Sequence, residues 1–242
     1  MPVCPTGRST PRREASMGNT LALIVVGQAP RPDLVDEFTP LLGVDVDVLQ
    51  TGLLDDLNEE EIQQLAPDDP TRAALALLAD GTPVAIDARA AAGRLADRIA
   101  YVEARGADLT VVCSTLGFEP VASRRPVVYP CRVVPRTVDG LIPRGRVGVV
   151  IPLHRQEQAA MRRWEPLGDR LVLAVYHPYD DGDLTQLAGR MHEAGASLVV
   201  LDSFDYTAEH CRDVSMATRL PVLSARRLVA RIVAELLSRA FY

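Results

Sequence analysis

No apolar run in this 242-residue chain approaches the ~18 residues that a membrane-spanning helix requires. Positive charge is not in excess either. The formal net charge is −6 and the isoelectric point is about 5.3. An acidic surface of mixed charge argues against nucleic acid or an anionic membrane as the main partner. Cysteine is scarce: Cys4, Cys113, Cys131 and Cys211 are scattered, with no C-x-x-C pair. In a chain of this size they read as reduced thiols of a cytoplasmic protein, not as a disulfide framework. P-loop, G-x-G-x-x-G and G-x-S-x-G motifs are absent. Nucleotide, dinucleotide and hydrolase-elbow chemistries therefore lack support.

What is present is an ordinary globular composition, 48% hydrophobic and 24% charged, enough for one large core or two modest ones. Residues 1–16, "MPVCPTGRSTPRREAS", hold little that is apolar and lack the apolar segment of a secretory signal. They read as a disordered extension, or as an over-long translation start with Met17 as the true beginning. A transit peptide is disfavoured, because no amphipathic helix passes through the prolines.

From residue 21 the chain alternates strand-like and helix-like segments. "LALIVV" (21–26) suits a strand buried on both faces of a parallel sheet. A helix is expected over 32–42 and a strand nearer an edge over 44–50. A helix capped by Asn58 follows, then another over 69–80 closed by Gly81. The pattern continues with a strand over 83–87, a long helix over 88–106 and a strand over 108–113. The second half repeats the plan with fewer parts. Strands at 146–152, 170–177, 197–202 and 221–224 alternate with helices at 155–167, 183–195, 208–219 and 225–241. This implies an α/β fold of two pseudo-symmetric lobes, with parallel sheets flanked by helices and a cleft between. The expected division is an extension (1–16), an N-terminal lobe (17–143) and a C-terminal lobe (144–242).

One phrase is written twice: "GADLTVVCST" (106–115) and "GASLVVLDSF" (195–204). In each, a helix ends on glycine, a buried strand follows, and polar residues arrive at its C-terminal end. Ligands of open α/β sheets bind outside that end. Two facing lobes would bring both ends to one cleft that holds a small polar molecule. Counting from each glycine pairs Ser114 with Ser203 and Cys113 with Asp202.

Several residues are candidates, each beside a plainer alternative. Cys113 reads as a strand-end thiolate or as a small buried hydrophobe. Ser114 and Thr115 suit a carboxylate site or a simple cap. Asp202 and Ser203, with Asp205 and Tyr206, sit where a buried acid is costly unless paired or functional. Gln28 and Arg31 in "GQAPRPD" follow the first strand, where Arg31 would clamp a carboxylate; the alternative is a Pro-stiffened loop. His154 and Arg155 are the second-lobe equivalents. "HPYDDGD" (177–183) is a turn with Asp183 as a helix cap, and no metal site is expected there. Arg124, Arg125, Arg226 and Arg227 read as solvated charge.

The ordered set "GQAPRPD", "GLLDDLNEEEI", "DGTPV", "GADLTVVCST", "GRVGVVIP", "GASLVVLDSFDY" and "PVLSARRLVARIVAELL" resembles the AroM-like family, from about Leu21 to the C-terminus. That family looks like a branch of the aspartate/glutamate racemase superfamily. The resemblance implies two facing lobes and no cofactor. It also implies one cysteine per lobe, working on opposite faces of an amino acid's α-carbon. This chain departs from that pattern, because both thiol positions are serine if the internal alignment holds. Cys113, one residue early, would supply a single thiol. The expected reading is a cofactor-independent isomerase or racemase-type enzyme that moves a proton at carbon on a small carboxylate, an amino or dicarboxylic acid. Catalytic candidates are Cys113, Ser114 and Ser203, and substrate-binding candidates are Gln28, Arg31, Thr115, Asp202 and Tyr206. The alternatives are a non-catalytic binder that has lost its thiol pair, or a one-thiol decarboxylase-type lyase. Substrate, stereochemistry and oligomeric state stay open, a homo-oligomer included.

Overall fold

A computed structural model describes residues 19–180 and 182–238. The readings of residues 1–16 and of Met17 lie outside them, as does the end of the last expected helix. The first half runs β1 (Asn19–Val25), α1 (Pro32–Leu42), β2 (Val46–Gly52), α2 (Glu59–Gln63), β3 (Ala73–Leu77), β4 (Pro83–Asp87), α3 (Ala88–Gly93), α4 (Leu95–Ala104), β5 (Leu109–Cys113), β6 (Val127–Val128) and α5 (Pro130–Leu141). The second runs β7 (Arg146–Ile151), α6 (Glu157–Arg163), β8 (Leu171–Val175), α7 (Leu184–Glu193), β9 (Ala196–Leu201), α8 (Ala208–Thr218), β10 (Val222–Ser224) and α9 (Ala225–Leu237).

Two parallel four-stranded sheets result, ordered β2-β1-β5-β6 and β10-β9-β7-β8. Read from its other edge, the second is β8-β7-β9-β10, the same order. In each half the first strand pairs with the second on one side and the third on the other. The duplicated phrase therefore occupies the equivalent strands β5 and β9. The reversal of strand order leaves a crevice at the C-terminal ends of β1 and β5, and again of β7 and β9.

Alternation along the strands divides the interior. Leu21, Leu23 and Val25 of β1 share a core with Val147, Val149 and Ile151 of β7, filled by Phe38 of α1, Trp164 just after α6, and Val229 and Val233 of α9. Ala22 and Ile24 face the other way, onto Leu95, Ile99 and Val102 of α4. In the second half Val150, Val199 and Leu201 meet Met191 of α7 and Val214 of α8. The central core belongs to both halves, so the two sheets face each other across shared side chains.

Asn58 caps α2 in a reciprocal capping box with Glu61, and Asp183 caps α7 through Thr185 N. Each such cap contributes about 1 kcal/mol. Three expectations are corrected. Residues 69–80 do not form a helix: β3 pairs antiparallel with β4. The helix-start signal was real but short, since Asp69 caps one 3-10 turn only (Pro70–Arg72). The helix over 88–106 is two, α3 and α4, broken at Arg94, whose side chain reaches Leu53 O and Asp56. The stretch between the expected strands at 108–113 and 146–152, for which no helix was expected, holds one at Pro130–Leu141. Pro130 starts it, where a missing N–H costs nothing.

The β3–β4 hairpin lies in the segment between β2 and β5, where the second half has α7 alone between β8 and β9. It is fixed from both halves. Gln28 N donates to Leu77 O at 3.0 Å, and Gln156 Nε2 donates to Ala73 O at 3.1 Å. Its backbone lies so close to the loop after β1 that a Cβ on Gly27 would sit 1.9 Å from Leu77 O.

Candidate functional site

The C-terminal ends of β1, β5, β7 and β9 surround one small cavity of about 30 Å³. Gly27 follows β1, Cys113–Thr115 close β5, Pro152 follows β7, and Asp202–Asp205 follow β9. Leu75, Ala76 and Leu77 of the hairpin roof it, and Arg31, Gln156 and Arg163 complete its wall. That volume suits a water or two. A molecule the size of a small carboxylate fits only if the hairpin or the lining side chains give way.

The two copies of the repeat meet here. Ser114 Oγ accepts from Leu116 N at 3.1 Å, and Ser203 Oγ accepts from Asp205 N at 3.2 Å. Both serines thus shape the same two-residue turn. Thr115 Oγ1 donates to Asp202 O at 2.8 Å, which ties the two strand ends directly. The serines differ in their own protons. Ser203 Oγ donates to Asp205 Oδ2 at 2.9 Å, whereas the Ser114 hydroxyl has no acceptor among the described residues and is free to serve a ligand.

Cys113 lines the cavity and also belongs to the core shared by the two sheets. Burial pushes its thiol up to about 12, although Arg226 and Arg31 pull the other way. At neutral pH burial thus keeps it a neutral thiol, which favours the buried reading of its strand-end position over the thiolate.

Charge around the cavity is internally matched. Arg31 is buried, and its guanidinium forks onto Asp33 at 2.7 and 2.9 Å, with Asp205 at 3.5 Å. Burial opposes its charge, but Asp33 and Asp205 outweigh burial and raise its pKa. Asp33, despite its own burial, is held below the usual carboxylate range by Arg31 and Arg226. Asp202 accepts from Trp164 Nε1 at 2.7 Å and pairs with Arg163 through the same oxygen, Oδ2. Its other oxygen, Oδ1, is buried with no protein partner among the described residues, and so is Arg163 Nε. Buried polar atoms left unpaired are costly, so both point to water or ligand at this wall.

Other candidates lie elsewhere. Tyr206 is fully buried in the second half's core, where its hydroxyl donates to Tyr176 O at 2.5 Å; it does not reach the cavity. Gln28 serves the hairpin, its Oε1 accepting from Ala79 N at 3.0 Å. The His154 side chain is 83% exposed and pairs with Glu157, while Gln156 takes the inward position expected of it and Arg155. Arg226 is not solvated: it is 1% exposed, donates to Phe204 O and pairs with Asp33 and Glu37. It lies on the apolar stripe of α9 with Val229, Ala230 and Val233, where a charged residue looks solvated until its partners are known. Gln156 and Arg163 were missed for a similar reason; they share a face with Ala160 and Trp164. Among the described residues, no group of three or more His, Cys, Asp or Glu is placed to hold a metal ion. No helix there is long and apolar enough to cross a membrane.

A protein-family model described as AroM protein matches residues 21–237. No curated protein matches the sequence. Among solved structures, allantoin racemase from Klebsiella pneumoniae superposes with a TM-score of 0.61 at 12% identity, covering 91% of this chain and 88% of that one. A crystal structure of arylmalonate decarboxylase gives 0.56 at 14% identity, covering 92% and 94%. Picrophilus torridus aspartate racemase gives 0.51 at 10%, covering 90% and 95%. These likenesses show a common fold.

Proposed function

The chain belongs to the AroM protein family, and from that premise we propose that it is a cofactor-independent enzyme that protonates carbon on a small bound carboxylate, with Cys113 as the donor. The observation that carries this reading is the placement of one buried thiol at the seam where the two copies of the repeat meet over one cavity. The matched position of the second half is Asp202, and the hydroxyl of Ser203 beside it is engaged in a hydrogen bond to Asp205. The chemistry is therefore one-sided. A carbanion or enediolate, formed when the substrate's C–C bond breaks and CO₂ leaves, uses the electron pair left on carbon to form a new C–H bond. The Cys113 S–H bond breaks, and solvent returns a proton to the thiolate. In this reading Ser114 Oγ–H and the orphaned Arg163 Nε–H, both from cavity-lining residues, hold carboxylate or enediolate oxygens. Racemases and a decarboxylase share this fold, and the single thiol favours the decarboxylase or isomerase style over two-base racemisation.

The test is a turnover screen of substituted malonates, amino acids and hydroxy acids, with CO₂ release and optical rotation as readouts. Turnover by the wild type that falls by about a thousandfold in Cys113→Ala, the loss of a general acid, supports the reading. Full activity in that variant overturns it. A second reading, a binder without chemistry, is favoured by the engaged Ser203 hydroxyl. A carboxylate that raises the melting temperature equally in wild type and Cys113→Ala, and is never altered, supports it.

A further inference from the structure

A wider groove of about 490 Å³ lies beside the cavity, across Leu116, Gln156 and Arg163, and opens to solvent. Five arginines line it (Arg72, Arg89, Arg132, Arg162 and Arg163) against one carboxylate, Glu119. Arg72 pairs with Asp87 and Arg163 with Asp202. Arg89, Arg132 and Arg162 have no ion pair among the described residues. They come from α3, α5 and α6, so the fold and not one basic run of sequence gathers them. Like charges held together repel, and in a chain of net charge −6 they are not the average surface. Arg163 adds a second observation: its side chain is 9% exposed, yet its Nε has no partner among the described residues.

We propose that this groove binds a small molecule carrying two or more negative charges, through carboxylate or phosphate oxygens. Guanidinium forks match such oxygens two at a time. Arg163 and Gln156 belong to both the groove and the cavity. A ligand seated in the groove therefore abuts the inner wall, and one molecule spans both when that wall gives way. The substrate class is then a carboxylate with a second anionic group at its far end. That role rests on the catalytic reading of the inner cavity, but anion binding in the groove does not. The chain's overall acidity and the groove's size favour a small molecule over a nucleic acid.

Calorimetry at low salt with pyrophosphate and citrate as probes, and acetate as the monovalent control, tests this. Both probes should bind the wild type and outcompete acetate. The Arg132→Gln/Arg162→Gln double variant, at exposed positions, should stay folded and bind about tenfold more weakly or worse. Cys113→Ala should bind the probes as the wild type does. Probes that fail to bind, affinity unchanged in the double variant, or a DNA oligonucleotide bound more tightly than pyrophosphate would each overturn the proposal. Probe binding without turnover of any carboxylate upholds the groove and counts only against the catalytic reading.

Discussion

At the scale of the residue, burial sets how tightly Cys113 holds its proton. A thiol pushed up to about 12 from 9.0 holds its proton more tightly in the folded chain than in the unfolded one. Its contribution to stability is then complete below about pH 9 and is lost as pH rises towards about 12, at up to about 1.4 kcal/mol per unit. Urea midpoints between pH 8 and pH 10.5 should fall for the wild type and fall less steeply for Cys113→Ala; parallel slopes would contradict the assignment. What the sequence showed at this scale was the pairing of Ser114 with Ser203, because counting from a shared glycine needs no coordinates. The inward turn of Arg163, Gln156 and Arg226 was harder to read. A charged or amide residue on an apolar stripe looks solvated until its partners, supplied by distant strands and helices, are known.

At the scale of the element, the hairpin is the part that alternation alone did not reveal. "AALAL" is rich in strong helix formers, and Asp69 gives a true cap. Tertiary pairing with β4 overrides that propensity, and Asp80-Gly81, read as a helix end, lies in the hairpin turn, with Gly81 at φ 89°. By contrast α1, opened by a proline in its first turn, and β4 match their expected ranges. Because the hairpin roofs the cavity, its seat on Gly27 has a consequence. Gly27→Ala must lift β3, since the added methyl carbon meets the backbone of Leu77 and not a flexible side chain. Hydrogen exchange at the Gln28 amide, which donates to Leu77 O, should speed up markedly in that variant while β7 and β9 amides stay protected. Unchanged protection of Gln28 would show that the hairpin is not held there.

At the scale of the whole molecule, two halves of equal strand order share one interior and one strand-end crevice. The repeat, the parallel sheets and the facing arrangement were all legible, because buried strands and glycine-ended helices recur at matching positions. The size of the cavity was not, because it depends on the inserted hairpin and on side chains from both halves. Joining the halves at a single thiol site is the claim on which the function stands. The most direct measurement is mass spectrometry of deuterium at the product carbon after incubation of the turnover panel in D₂O. The account predicts one solvent deuteron per turnover in the wild type and a near-complete loss in Cys113→Ala, with the variant still folded. Deuterium incorporated at the same rate without the thiol would contradict it.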